Sequence, residues 1–254
     1  WIVTDRGRVL ALAGAAEIAE PAFVAFGFGA AATVVGGTPT HTGEGYWLAE
    51  ETGAVAAYGD ASYHGDVVRL ALNQPIVGMA VTPTGGGYWL VARDGGIFAF
   101  GDAGFYGSTG GIVLNQPIVD MSVTPTGAGY WLVARDGGVF AFGDAAFYGS
   151  TGAITLNQPM VSMAAGASGY WLVARDGGVF TFGVPYHGSI PGLVISNSLV
   201  ADGIRIRSID AGDGYVVLTA DGALHGFGSA EFLAAGAPVL DPGESAVDLL
   251  LLQL

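Results

Sequence analysis

One decapeptide is written three times in this chain: Gly87-Tyr88-Trp89-Leu90-Val91-Ala92-Arg93-Asp94-Gly95-Gly96 returns unchanged as residues 129–138 and again as 169–178. A unit repeated at a fixed period folds the same way each time and buries its apolar surface against its neighbours, which confines the chain to a repeat architecture. Weaker copies flank these three: Tyr46-Trp47-Leu48-Ala49 before Gly53, Tyr215-Val216-Val217-Leu218 before Asp221-Gly222, and Trp1-Ile2-Val3-Thr4 before Gly7. Counted from the Trp position, at 1, 47, 89, 131, 171 and 216, the spacings are 46, 42, 42, 40 and 45 residues, which makes six copies.

Each unit reads as strands and turns. A first strand such as Ile76 to Val81 ends at Thr82-Pro83-Thr84-Gly85, where Pro and Gly break the ladder. A second strand, Tyr88 to Arg93, meets Asp94-Gly95, a signal for a two-residue hairpin. The third strand, Gly96 to Phe100, stops at Gly101-Asp102-Ala103, and a short fourth strand is expected near Phe105-Tyr106-Gly107 or Ile112-Val113-Leu114. No amphipathic helical pattern separates the strands, so each unit is an antiparallel meander. Tyr88 and Trp89 point to opposite faces of their strand, so both faces need cover, and blades stacked around a channel supply it. The expected fold is an all-β, six-bladed β-propeller with three to four antiparallel strands per blade.

The chain ends sharpen this expectation. Ala246-Val247-Asp248-Leu249 aligns with Ile118-Val119-Asp120-Met121, a first strand, whereas Trp1 begins a second strand. The C-terminal strand is therefore expected to pair with the N-terminal one and close the ring, with residues 1–254 forming a single propeller domain.

The order of signals, an apolar strand, a Gly-rich loop, an apolar strand, Asp-Gly and an aromatic strand ending in Gly, resembles the regulator-of-chromosome-condensation repeat and the secreted β-lactamase-inhibitor propellers. More closely, Gly129-Tyr-Trp-Leu-Val-Ala-Arg-Asp-Gly-Gly-Val-Phe-Ala-Phe-Gly-Asp-Ala145 is similar to a repeat of secreted, multidomain proteins from high-GC Gram-positive bacteria. That resemblance implies a secreted or cell-surface binding or display module. The chain departs from the first two families, whose propellers usually have seven blades, and it lacks the basic surface of a chromatin partner.

Charge narrows the partners. There are 22 acidic residues against 8 basic ones, every one of them Arg, for a net charge of -14, which opposes nucleic acid as a ligand. There are no cysteines, so disulfides and thiolate chemistry are excluded. The longest uncharged apolar stretch, Ala22 to Val35, is 14 residues, short of the roughly 20 a membrane span needs. No basic n-region with an apolar h-region opens the chain, so any signal peptide is expected to be removed or to lie outside this sequence.

The aromatic residues form two sets. Trp1, Trp47, Trp89, Trp131 and Trp171 share one strand position, preceded in the later copies by Tyr46, Tyr88, Tyr130, Tyr170 and, in the sixth, Tyr215. Flanked by Leu, Val and Ala, they read as packing between sheets. The pairs Tyr63-His64, Phe105-Tyr106, Phe147-Tyr148 and Tyr186-His187 follow the Gly-Asp-Ala-type turns and are the candidate ligand-stacking residues. Asp94, Asp136, Asp176 and Asp221 suit turns, as do Asp60, Asp102 and Asp144.

Catalysis would require the repeat to be broken, because an acid and a base need different surroundings. One first-strand position does vary, as Gly36, Gly78, Asp120, Ser162, Arg207 and Asp248, a possible polar ring around the channel. A carbohydrate-active enzyme would draw on Asp120, Asp248, Arg207, Glu44 and Glu231. His41, His64, His187 and His225 lack zinc-site spacing, and neither a nucleophile elbow, a phosphate loop nor a sialidase Asp-box occurs, so no metal or cofactor is expected. The leading expectation is a non-enzymatic extracellular module that binds a glycan or protein partner through blade loops without entering a membrane. A structural or self-assembling scaffold is the third reading.

Overall fold

The computed structural model describes residues 1–10, 12, 33–192, 205–209, 213–230 and 238–251. Six three-stranded antiparallel sheets form, each from consecutive strands except at the chain ends. Blade two is β3 (Val34–Pro39), β4 (Gly45–Glu50) and β5 (Val55–Gly59); blade three is β6 (Ile76–Val81), β7 (Gly87–Ala92) and β8 (Ile97–Gly101). Blade four is β9 (Ile118–Val123), β10 (Gly129–Ala134) and β11 (Val139–Gly143); blade five is β12 (Met160–Gly166), β13 (Gly169–Ala174) and β14 (Val179–Phe182). Blade six is β15 (Arg205–Ile209), β16 (Gly214–Leu218) and β17 (Leu224–Gly228). Blade one joins β18 (Ala246–Leu249) to β1 (Ile2–Thr4) and β2 (Val9–Leu10). The first strands pack side by side in the cycle β3, β6, β9, β12, β15, β18 and back to β3, which closes a six-bladed β-propeller.

The seam forms in the register expected from the repeat. Asp248 pairs with Val3 as Asp120 pairs with Val133, and Leu249 pairs with Ile2. Trp1 and Leu250 exchange N–H to C=O bonds in both directions, at 2.9 and 3.1 Å. Ion pairs brace the outside of the seam, where one Arg8 nitrogen lies 2.6 Å from both Asp241 and the buried Glu244.

Each second strand is buried along its whole length, and its two faces serve two different blades. Trp47, Val55 and Ala57 of blade two pack with Met79, Tyr88 and Leu90 of blade three. Trp89 then meets Tyr130, Trp131 meets Tyr170 and Trp171 meets Tyr215, with ring centroids 5.3–6.0 Å apart. Val216 and Leu218 continue onto Ile2 of blade one, and Val3 onto Tyr46 and Leu48 of blade two. The tryptophans are thus packing residues between blades, and their indole N–H groups are spent as well. Those of Trp47, Trp89, Trp131 and Trp171 donate to the Ser62, Gly104, Ala146 and Pro185 carbonyls at 2.7–2.8 Å.

Two local expectations are corrected. No fourth strand forms at 105–107 or 112–114, because the polar groups there are committed elsewhere. The Tyr106 N–H donates to the Tyr130 hydroxyl of the next blade, the Gly107 carbonyl accepts from it, and Thr109 N–H donates to Gly95. The hairpin loop also has three residues and not two. The Gly95 N–H bonds to the Ala92 carbonyl, and the Ala92 N–H to Gly96, leaving Arg93-Asp94-Gly95 as the loop with Gly95 at φ 76°. That is the longer hairpin in which a turn is followed by a left-handed glycine.

Glu50 occupies the position that is Ala92, Ala134 and Ala174 in the neighbouring blades, and it is fully buried. Thr52 donates to one carboxylate oxygen at 3.1 Å, while the other, Oε1, has no hydrogen-bond partner. Burial pushes its pKa up, so the folded chain holds the proton more tightly than the unfolded one and loses stability as pH rises above about 4.5. Replacing it with the residue its neighbours use, Glu50→Ala, is expected to stabilise the propeller by about 1–3 kcal/mol at neutral pH. The gain should shrink toward pH 4, as read by urea denaturation across that range.

Candidate functional site

The inner strands enclose an axial funnel of about 630 Å³ that opens between the loops joining first and second strands. Its rim is Pro39-Thr40-His41, Thr82-Pro83 and Thr124-Pro125, and its wall includes Met79, Met121 and Met163. The rim loops are fixed by the turn aspartates. Thr82 donates to Asp102 at 2.8 Å and Thr84 to its second oxygen, and the same clasp joins Thr40 and Thr42 to Asp60, and Thr124 and Thr126 to Asp144. The Thr84 hydroxyl bond, with that of Thr82, holds the Asp102 carboxyl below the usual carboxylate range. These aspartates are loop fasteners, as turn chemistry anticipates.

Just below the funnel, Asp120 and Asp248 converge with two arginines. The position aligned in each first strand pairs with the residue two beyond the Trp position: Gly36 with Ala49, Gly78 with Val91, Asp120 with Val133, Ser162 with Val173 and Asp248 with Val3. In blade six that partner is Leu218, and the residue opposite it is Arg205, not Arg207. The expected member of the ring is therefore corrected by two residues. Most of the other first strands carry a bulge here and β15 is paired without one, a difference that spacing alone does not reveal.

Arg205 lies 3.1 Å from Asp120, 4.0 Å from Asp248, and donates to the Val247 carbonyl at 3.0 Å and the Val35 carbonyl at 2.7 Å. Burial alone would lower its pKa, but the two carboxylates outweigh that and hold it above its ordinary value. Arg207 joins from the funnel side, donating to both Asp248 oxygens at 2.5 and 2.6 Å. The remaining lone pairs collect backbone N–H groups from successive blades: Asp120 accepts from Met121 and Met163, Ser162 from Ile206, and Asp248 from Leu249 and Gly37. The Ser162 hydroxyl donates to Asp120 at 2.5 Å.

This network decides what the carboxylates can do. Asp120 and Asp248 are 3% and 1% exposed, and each oxygen of both already has a donor or cation, so neither has a free lone pair facing the funnel. They act as an axial clasp. Glu44 is exposed on the loop between β3 and β4, three residues beyond the rim residue His41, and does not itself line the funnel, and Glu231 lies outside the described residues.

The eight candidate ligand residues divide into two groups of four. His64, Tyr106, Tyr148 and His187 are braces: each backbone N–H donates to the tyrosine hydroxyl of the next blade, and each ring sits 5.6–5.8 Å from that tyrosine. The Tyr106 ring also fills space beside Gly143, whose φ is 68° and whose added Cβ would lie 3.0 Å from the ring. Burial raises the pKa of the bonded tyrosines, that of Tyr215 to about 12. The first members of the pairs lie more toward solvent, with the Tyr186 hydroxyl donating to Ser189 at 3.0 Å. Phe105, Phe147 and Tyr186 expose 63%, 61% and 58% of their surface, and Tyr63 exposes 41% with its hydroxyl held by Asp66 at 2.8 Å. None of the eight lines the funnel. Among the described residues no group of three or more His, Asp or Glu is placed to hold a metal, and no helix is long and apolar enough to cross a membrane.

No family model matches the chain, and no curated protein matches it. Among solved structures, the β-propeller domain of Myceliophteria thermophila Cps50 (Swd1) is similar to it with a TM-score of 0.49 and 9% identity, over 82% of this chain and 72% of that one.

Removing Arg205 strands the buried Asp120 carboxylate without its cation, while Asp248 keeps Arg207. Arg205→Ala is expected to cost about 3–5 kcal/mol, measured by denaturant titration. Arg205→Met together with Asp120→Asn should recover part of that loss, because the stranded charge is removed while an amide oxygen stays to accept from the Ser162 and Met163 donors.

Proposed function

We propose that this β-propeller is a non-enzymatic, extracellular binding module that recognises an uncharged glycan through its outer loops. The observation that carries the reading is the exposure of Tyr63, Phe105, Phe147 and Tyr186 at one repeat position, beside His64, Tyr106, Tyr148 and His187, whose rings lie against the next blade's tyrosine although Tyr106 and Tyr148 still expose 36% and 43%. A flat ring held on a rigid loop stacks on the apolar face of a sugar, and four such rings at the same place in successive blades suit a polymer with a repeating unit. Weak contacts then add, since each engaged ring raises the local concentration of the next sugar. The net charge of -14 disfavours acidic polysaccharides and leaves neutral ones. Extracellular placement rests on the likeness of the repeat to those of secreted proteins.

A protein partner is the second reading. It is favoured by Ile112 and Ile154, exposed by 59% and 57% at equivalent positions, whose aliphatic side chains suit a protein surface better than a sugar.

The test is an array of neutral glycans and cell-wall fragments, followed by titration of the best ligand against Phe105→Ala and Phe147→Ala. Each change is expected to weaken binding about two- to tenfold, as for about 0.5–1.5 kcal/mol per ring. Binding that is unchanged in the double variant, or seen only with proteins, overturns the glycan reading.

A further inference from the structure

The outermost strand of each blade is paired on one side only. In blade three, β8 hydrogen-bonds to β7, and among the described residues no other strand borders it. The Ala92 N–H to Gly96 bond sets the phase of that ladder, so Phe98 and Phe100 bond inward to Leu90 and Tyr88. The N–H and C=O groups of Ile97, Ala99 and Gly101 consequently point outward. Blade four repeats the arrangement, with Val139, Ala141 and Gly143 of β11 pointing outward. Natural sheet edges are commonly guarded by a lysine, a proline or an inward-facing charge. The outer strands β5, β8, β11, β14 and β17 carry none of these, and among them Ile97-Phe-Ala-Phe-Gly101 and Val139-Phe-Ala-Phe-Gly143 share one near-palindromic pattern centred on Ala.

We infer that these two edges pair with a second copy of this chain. Both segments are self-complementary in antiparallel register. With Ala99 of one copy opposite Ala99 of the other, Ile97 falls opposite Gly101 on each side, so six outward groups per strand meet six. Ala99 then faces Ala99 in a hydrogen-bonded pair, and Phe98 lies across from Phe100 twice in the closer, non-hydrogen-bonded pairs. The same register brings β11 against β11, or β8 against β11, because the two sequences differ only in Ile97 against Val139. Neither edge strand itself holds a charged residue, so charge does not bar a second copy there, while the net charge of -14 and the flanking Asp94, Asp102, Asp136 and Asp144 repel copies and make the pairing stronger in salt. A molecule with two such edges on adjacent blades joins its copies into open chains and not a closed pair.

Sedimentation velocity of the full chain from micromolar to submillimolar concentration tests this, with hydrogen exchange at the Ala99 and Ala141 amides read at both ends of the range. The expected result is reversible association beyond the dimer, with those two amides gaining protection as it proceeds. Ala99→Pro with Ala141→Pro removes two outward N–H groups without touching the ladder to the second strands, and it should leave a monomer at every concentration. Ala99→Lys with Ala141→Lys places charges on the same edges and decides the matter if the proline pair fails to fold. Phe105→Ala with Phe147→Ala should leave association intact, so the glycan reading and this one fail separately. A wild-type chain that stays monomeric throughout, or folded edge variants that associate as tightly as the wild type, overturns the inference.

Discussion

The whole ring depends on the two-sided burial of one strand. In blades two to five the second strand places Trp on one face and Tyr on the other, with Val216 in the Trp place of blade six, and neither face belongs to a core of its own blade. The Trp face of one blade meets the Tyr face of the next, so a single blade has nothing to bury itself against. Stability therefore lies in the contacts between units, as in other repeat proteins, but here the last unit also meets the first. Closing the circle removes the two solvent-facing ends that an open array has to cap.

Hydrogen bonding follows the same plan. The tyrosine hydroxyl takes one bond and gives another, and both go to the loop of the preceding blade: Tyr130 accepts from Tyr106 and donates to Gly107, and Tyr170 does the same with Tyr148 and Gly149. The indole N–H meanwhile fixes the loop of its own blade. One loop is thereby held from two sides, by the Trp of its own blade and the Tyr of the next, as Trp89 and Tyr130 hold residues 104–107. This is why it needs no fourth strand to stay in place, and why its leading aromatic residue can project outward on a rigid support.

Most of this order is legible in the sequence because it is periodic. The six copies, the facing of Tyr88 and Trp89 and the pairing of Asp248 beside Val3 all follow from matching residues at equal spacing, and the structure has them. What was not legible depends on events between copies. Arg205 takes the ring position in place of Arg207 because β15 pairs without the bulge seen in most other first strands, and a bulge leaves no mark on spacing. The division of Phe105 from Tyr106 was hidden for another reason: adjacent aromatics look alike in a sequence, and only the neighbouring blade shows which of them braces it. The repeated Gly143, with its positive φ, was the available signal, since its missing side chain makes the room that Tyr106 fills.

Arg205 stands in blade six and touches groups from three others: Asp120 of blade four, Val247 of blade one and Val35 of blade two. A side chain has a fixed reach, so those contacts act as a gauge of the channel's diameter. A ring with one more unit would carry Asp120 and Val35 outward and leave the guanidinium short of at least one. Three nearly identical blades in a row invite duplication or loss by recombination within the coding sequence, and pairwise packing between blades would accept either. The arginine at the axis does not, and so it is the part of the molecule that counts to six.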